Sequence, residues 1–140
     1  MFSAILPSTR HRRRHMRAVR GVADALNSKD WTALAALLTP DFTMADQGGS
    51  EISGRDNMLA ELKAFYAAAG DPHLILESID PNRDEVLVRG SFSATNSKIQ
   101  SPTMWRFLFD GLHICRIEVT RANGEMTLPR FAATRRAHAA

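Results

Sequence analysis

The stretch "TPDFTMADQGGSEISG", Thr39 to Gly54, contains the acidic residue best placed to do chemistry in this sequence. Asp46 stands there between a short apolar run and a glycine-rich turn. A carboxylate that folding encloses among apolar groups is poorly solvated and can take a proton from a carbon next to a carbonyl. A carboxylate just before a glycine pair also commonly bonds to the backbone of its own turn. The sequence therefore leaves Asp46 open as a pocket base or anchor, or as a loop aspartate.

The other reactive side chains offer less chemistry. No His-x-His or His-x-x-x-His pair occurs outside the arginine-rich segment 10–17, so no metal site is predicted. Cys115 is the single cysteine, and His113 would lie about 7 Å along the same strand, which indicates a core thiol. His73 and His113 are expected at the surface. The segment "GGSEISG" has no following lysine, so a phosphate loop is not indicated either, and we expect no cofactor.

Length and composition are typical of one globular domain. The chain has 140 residues, of which 44% are hydrophobic, and no apolar run approaches the ~20 residues that span a bilayer. The single cysteine excludes an internal disulfide, so stability must come from packing. We therefore expect a soluble cytoplasmic protein without membrane contact.

Positive charge is concentrated at the two ends of the chain. Residues 1–23 hold six arginines and no acid, whereas residues 24–120 hold eight bases and fourteen acids. Without interleaved aromatic residues the basic arm has no chemistry for reading bases, so nucleic-acid association through the arm is a weaker third hypothesis. An acid-free, arginine-rich start is also compatible with an organelle transit peptide, which stays a minor alternative. We predict a flexible arm over residues 1–15, a domain over 16–128 and a basic tail over 129–140. A start at Met16 would remove most of the arm.

Hydrophobic periodicity predicts three helices in the first half. The first covers about residues 9–28, and the second begins after Asp30 as N-cap and ends before Pro40. The third starts near Ser53, which forms a possible capping box with Asp56, and ends at Gly70. Its apolar stripe includes Met58, Leu59, Leu62, Phe65 and Tyr66.

Beyond residue 72 the apolar period changes to two, which indicates strands. "HLILESI" and "EVLVRGSFSAT" alternate across a predicted turn at Asp80-Pro81-Asn82, and "TMWRFLF" and "HICRIEVTR" alternate across Asp110-Gly111. A short strand is expected at residues 42–45. Three N-terminal helices packed into a strongly curved antiparallel sheet define an α+β fold.

The order of these segments resembles a known superfamily. "ADALNSKDWTALAALLTPDFTM", "SGRDNMLAELKAFYAA" and "RFLFDGLHICRIEVTR" are similar to the nuclear-transport-factor-2-like superfamily, especially its SnoaL-like and ketosteroid-isomerase-like members. The resemblance implies a cone in which a bent sheet wraps helices around a pocket, and often a homodimer through the outer sheet face. It does not imply one function, because the superfamily includes several enzyme classes and proteins without catalysis. "MADQGGSEISG" resembles the base-bearing segment of ketosteroid isomerases and places Asp46 at the base.

The same resemblance implies a set of pocket residues. Trp105 and Phe107 share one face of a strand whose upper end would be the pocket wall. The predicted ligand-binding residues are Trp31, Met44, Phe65, Tyr66, Phe92, Trp105, Phe107, Ile117 and Val119. The last two come from a strand phase that would direct Cys115, Ile117 and Val119 inward.

The residues that assist catalysis in these families are missing from the matching positions. Ketosteroid isomerases stabilise an enolate with a tyrosine and a protonated acid, and those positions fall near Val22 and between Thr103 and Trp105. SnoaL-type cyclases place a histidine and an aspartate where Ile117 and Val119 stand here, and no acids form an epoxide-hydrolase set beside the strand arginines. An ordinary steroid isomerase is therefore not expected.

Two hypotheses from different classes follow. The first is a protein that binds a small apolar molecule, with cofactor-free proton transfer of the isomerase or lyase type by Asp46. The second is a non-catalytic dimerisation or interaction module whose pocket is filled by side chains. A cavity of a few hundred Å³ with Asp46 on its wall would favour the first, and a filled cone the second.

Overall fold

The fold is an α+β cone, as the sequence predicts. The computed structural model describes residues 6–70, 72–93, 102–121 and 126–139. Its helices are α1 (Leu6–Ser28), α2 (Trp31–Ala36), α3 (Arg55–Ala69) and α4 (Leu128–Ala139). Its strands are β1 (Leu38–Asp46), β2 (Glu51–Ser53), β3 (His73–Asn82), β4 (Glu85–Ser93), β5 (Pro102–Asp110) and β6 (His113–Arg121).

The six strands form one curved, open sheet in the order β2-β1-β6-β5-β4-β3. Four of the five pairings are antiparallel, but β1 runs parallel to β6, so the sheet is mixed where the sequence predicts an antiparallel one. The parallel pairing places the end of β1 beside the end of β6, with Asp46 opposite Val119. That pairing positions the aspartate segment at one end of the cone.

Local chemistry explains several element boundaries. Asp30 caps α2, because its carboxylate accepts a bond from the Ala33 N–H at 3.0 Å. The predicted capping box at Ser53 is wrong, since Gly54 occupies the N-cap position of α3 at φ 94° and no side chain caps it. The Asp110-Gly111 hairpin forms as predicted, with Asp110 paired to His113.

The predicted turn at Asp80-Pro81-Asn82 is also wrong, because these residues continue β3. Pro81 pairs with Val86, and the chain reverses at Arg83 and Asp84 instead. A proline is tolerated there because β3 is an edge strand, so its missing N–H leaves no ladder partner unpaired.

The bend of the sheet brings two backbones close together at Gly90. A Cβ at this position would collide with the Ile75 carbonyl oxygen and lie 3.1 Å from the Trp105 ring. The neighbouring β3–β4 ladder shifts register between Leu76 and Ser78. Only glycine allows this approach, which contributes to the curvature that encloses the core.

One apolar core lies between the helices and the concave face of the sheet. Its fully buried members include Val19 from α1, Phe42 from β1, Met58 from α3 and Ile114 from β6. The basic arm takes part in this packing, since residues 6–15 are helical and the buried His15 stacks on Phe109 at 3.9 Å. The division into arm, domain and tail stays a prediction.

Candidate ligand cavity and the Asp46 turn

An apolar cavity of ≈ 80 Å³ lies inside the cone. Helices α1, α2 and α3, five of the strands and the start of α4 contribute to its wall. In the described part of the chain, the polar residues on this wall are Tyr66, Thr103, Arg121 and Thr127, and no Asp or Glu lines it. The cavity is therefore suited to a small apolar molecule that meets few polar groups.

Eight of the nine predicted ligand-binding residues line this cavity. They are Met44, Phe65, Tyr66, Phe92, Trp105, Phe107, Ile117 and Val119. Trp31 lies behind the wall, where its ring meets the Tyr66 ring edge-on at a centroid distance of 5.5 Å. Val22, Thr103 and Trp105, which the family resemblance places at or near the oxyanion-donor positions of isomerases, also line the wall, and none of them is a tyrosine or carries a carboxyl group.

Several wall residues were not predicted from the sequence. Thr127 and Leu128 are the last residues of the predicted domain, and in the structure they are the N-cap and first residue of α4, most of which was predicted to be a tail. This helix buries Leu128, Pro129 and Ala132. Its apolar residues follow no strong stripe, which explains the omission. The basic residues of segment 129–140 instead indicated a solvent-exposed C-terminal tail.

Asp46 does not line the cavity; its carboxylate is bonded within the structure. Oδ1 accepts the N–H groups of Gly48 at 2.9 Å and Ser50 at 3.0 Å, and Oδ2 accepts the Thr127 hydroxyl at 2.6 Å. The first two bonds form the Asx-type turn between β1 and β2. Asp46 is thus half-buried and is hydrogen-bonded to the wall residue Thr127 without lining the cavity itself.

The Thr127 hydroxyl links this turn to α4. While it donates to Asp46, it also accepts the Arg130 N–H at 3.2 Å, which is the geometry of an N-cap. A carboxylate beside a helix N-terminus is favoured by the helix dipole. A second link joins α4 to α3, where Arg135 donates to the buried Glu61 at 2.9 Å. These bonds fix α4 across the end of the cone.

Arg121 at the end of β6 also joins wall and turn. Its guanidinium donates to the Met126 carbonyl, and its backbone exchanges two bonds with the side chain of Gln47 at 2.9 and 3.1 Å. Gln47 follows Asp46, so the same turn is bonded to both β6 and α4. The polar side chains of this turn therefore serve mainly to join it to β6 and α4.

Tyr66 presents a different situation, because its hydroxyl is buried without a hydrogen-bond partner among the described residues. The side chain is 3% exposed, and burial raises the pKa of the phenol well above its ordinary value. The phenol therefore stays protonated across the physiological range. It is a neutral polar group on an otherwise largely apolar wall.

Cys115 does not take the inward position that the strand phase predicts. The β5–β6 ladder pairs Leu108 with Arg116 and Phe109 with Ile114, so Cys115 is the extra residue of a bulge. Ile114 is buried in the core instead, while the half-buried thiol donates to the Leu108 carbonyl at 3.4 Å. Burial raises the pKa of this thiol, with a further contribution from Asp110.

Other candidate sites are weaker. A more open depression of ≈ 480 Å³ lies between α1 and β3, but its wall mixes charged and apolar groups. The amide of Asn27, on that wall, is bonded to both backbone groups of Leu74. Within the described residues, no three His, Cys, Asp or Glu side chains come together as a metal site would require.

The architecture defines the class to which this protein belongs, the nuclear-transport-factor-2-like fold. Residues 19–126 match the SnoaL-like domain family, and the chain therefore belongs to that family. No curated protein matches this sequence. Among the described residues, no helix is both long and apolar enough to cross a membrane.

Solved structures share the fold at low sequence identity. One from Sinorhizobium meliloti, assigned as a polyketide cyclase, is 23% identical at a TM-score of 0.67 over 74% of this chain and 93% of its own. One from Kribbella flavida, assigned as a ketosteroid isomerase, is 17% identical at 0.72 over 82% of each chain. An LEH-like epoxide hydrolase of M. tuberculosis is 17% identical at 0.70 over 91% and 97%. These similarities establish the fold. At such low sequence identity, the activity has to be inferred from the residues of the site.

Proposed function

We propose that this protein binds a small, mostly apolar molecule in the cavity inside the cone. The observation that carries the proposal is the ≈ 80 Å³ cavity with its largely apolar wall. Protein interiors are close-packed, and a void of this size costs about 2 kcal/mol at about 24 cal/mol per Å³. A ligand that fills the void recovers that free energy, which favours a binding site over a packing defect.

The size of the cavity limits the ligand. Pockets for drug-sized molecules measure about 300–1,000 Å³, whereas an apolar cavity of about 150 Å³ binds benzene. The volume of this cavity falls between those that the two sequence hypotheses require, which are a cone filled by side chains and a pocket of a few hundred Å³. This cavity has about half the volume that holds benzene, so a short branched chain is the expected ligand size without rearrangement, and a single ring needs a small outward shift of the wall.

Proton transfer by Asp46 has less support than binding. A general base needs a carboxylate oxygen within reach of the substrate, but both Asp46 oxygens accept bonds from the fold. Thr127 would have to leave Oδ2 before Asp46 could meet a molecule in the cavity. We therefore propose that Asp46 acts by positioning Thr127 and α4 at the cavity wall.

We further propose a homodimer through the outer face of the sheet. Leu87 and Met104 expose 41% and 42% of their surface on this face. Arg106 lies directly opposite Leu87 in the β4–β5 ladder, and its guanidinium bonds to Glu85 at 2.6 Å and to Glu118 at 3.2 Å. A face of mixed sign is self-complementary under two-fold symmetry. Sedimentation should give twice the 15.5 kDa chain mass, and Leu87→Glu should give monomers.

Toluene provides a direct test of the cavity. Isothermal titration and ¹H–¹⁵N spectra should show saturable toluene binding to the wild type, with shifts centred on the wall residues. Val22→Phe places extra bulk on the wall and should abolish that binding while circular dichroism shows the native fold. Equal toluene binding by both proteins, or none by the wild type, would contradict the proposal.

A further inference from the structure

Among the described residues of the cavity wall, the hydroxyl of Tyr66 is the one buried side-chain polar group without a hydrogen-bond partner. Tyr66 is on α3, lines the cavity and is the only tyrosine in the chain. Its ring is fixed by the edge of Trp31 at 5.5 Å and by Phe65 at 6.4 Å. A buried hydroxyl without a partner is destabilising, so its presence in a fixed position requires an explanation.

Two other buried side-chain atoms in the described part of the chain also lack partners, His15 Nδ1 and Thr39 Oγ1. Neither residue lines the cavity. Tyr66 therefore combines two independent properties, an unpaired buried hydroxyl and a place on the wall of a cavity. A molecule in that cavity is the partner that the geometry makes available.

The chemistry of the wall restricts what this partner can be. A neutral phenol is a good hydrogen-bond donor, and a carbonyl oxygen accepts such a bond without bringing a donor of its own. An alcohol would bring a hydroxyl proton into an apolar space, and an amine would bring a charge that no carboxylate among the described wall residues could balance. The charged group on the described wall, the Arg121 guanidinium, is already bonded to the Met126 carbonyl, so the wall favours a neutral molecule with one acceptor oxygen.

We propose that Tyr66 is the polar subsite of the cavity and donates a hydrogen bond to the carbonyl oxygen of a small ketone or aldehyde. This inference rests on the proposed binding function and adds the chemical class of the ligand. It assigns no catalytic step to Tyr66. It also separates the polar contact from Asp46, whose oxygens are bonded to Gly48, Ser50 and Thr127.

The test compares two probes of nearly equal shape, cyclohexanone and methylenecyclohexane, in the wild type and in Tyr66→Phe. Because the ketone is better hydrated in water, the informative quantity is the change in the ratio of the two Kd values between proteins. One neutral hydrogen bond predicts a loss of ketone preference of about fivefold in Tyr66→Phe, with alkene binding unchanged or tighter. Thr39→Val is the matched control, since it removes an unpaired buried hydroxyl away from the cavity and should preserve the wild-type ratio.

Infrared difference spectra with ¹³C-carbonyl cyclohexanone supply a second readout. A bond from Tyr66 lowers the carbonyl stretching frequency relative to the ketone in hexane, and Tyr66→Phe should restore the hexane value. Tyr66→Phe should also melt at a higher temperature than the wild type without ligand, because it removes an unsatisfied group. A structural role for the hydroxyl would give the opposite shift in melting temperature.

The outcomes distinguish the two levels of the proposal. Equal ketone-to-alkene ratios in both proteins, with both probes bound, would overturn the Tyr66 subsite and leave the binding function intact. Tighter binding of cyclohexanol than cyclohexanone would overturn the carbonyl assignment. Absence of binding by every probe in both proteins would overturn the binding function and the subsite with it.

Discussion

The hydroxyl of Thr127 donates to Oδ2 of Asp46 at 2.6 Å, across 81 residues of sequence. This bond joins the turn after β1 to the N-cap of α4, and Thr127 is itself on the cavity wall. Asp46, the candidate base in the sequence, is thereby hydrogen-bonded to the residue that caps α4. The acidic residue and the cavity are thus neighbours without being in contact.

Asp46→Asn should loosen α4 without abolishing toluene binding. The amide keeps one acceptor oxygen but loses the charge and places an NH₂ group against N–H or O–H donors, so we expect a loss of about 1–3 kcal/mol of unfolding free energy. Hydrogen exchange should rise selectively in residues 128–139. Asp41→Asn is the control, since Asp41 is exposed on the same strand and should change little. Unchanged exchange in α4 would contradict the positioning role.

Gly90→Ala should be strongly destabilising. The new methyl group would collide with the Ile75 backbone, which a strand cannot relieve by side-chain rotation. We expect a loss of about 2–4 kcal/mol in urea unfolding, in the range of severe core substitutions. Gly48→Ala, where a Cβ would make an ordinary 3.4 Å contact with Asp46, should cost far less. Similar losses for the two variants would show that the close approach at Gly90 is not the cause.

Tyr66 should make the protein sensitive to alkaline pH. Its folded-state pKa lies above the ordinary value of 10.0, so the neutral phenol stabilises the fold below pH 10 and that contribution is lost as the pH rises beyond it. Because Tyr66 is the only tyrosine, phenolate absorbance should appear together with unfolding rather than before it. Tyr66→Phe should lose less stability than the wild type above pH 10. Phenolate formation near pH 10 in the folded protein would contradict this burial.

Glu118 should contribute to stability in the opposite pH direction. Hydrogen bonds from Arg116, and then from Arg106, lower the pKa of this carboxyl, while burial opposes them. Its contribution is therefore present above the unfolded value of 4.5 and is lost as the pH falls through the lowered folded value. The side chain is 37% exposed, so screening limits the effect to about 0.5 kcal/mol. Glu118→Gln should be less stable than the wild type at pH 7, and the two should converge at low pH.

Much of the fold could be predicted from local patterns. The helical stripe in α1, the cap at Asp30 and the hairpin at Asp110-Gly111 depend on neighbouring residues, and the structure contains all three. The errors occurred where a distant element decided the outcome. Asp80-Pro81-Asn82 has the composition of a turn but is held in β3 by pairing with β4. Cys115 fits the inward phase of β6 until a bulge against β5 displaces it.

The positions of the wall residues followed more readily from the sequence than the hydrogen-bond partner of Asp46. Large apolar residues on alternating strand positions must face the core because water is excluded from it, so Trp105, Phe107 and Ile117 could be assigned from periodicity and family resemblance. The partner of Asp46 could not be found in this way. Thr127 lies 81 residues further on, just before the basic segment 129–140 that was predicted to be a tail.

The sequence by itself determined the α+β class, the family and the apolar character of the interior, because these follow from periodicity, turn chemistry and the order of segments. Only the tertiary structure decided which polar groups are satisfied. Hydrogen bonds act over about 3 Å and join residues from distant parts of the chain, so satisfaction is a property of three-dimensional packing. That packing bonds the Asp46 carboxylate to its turn and to Thr127, and it leaves the Tyr66 hydroxyl without a partner among the described residues.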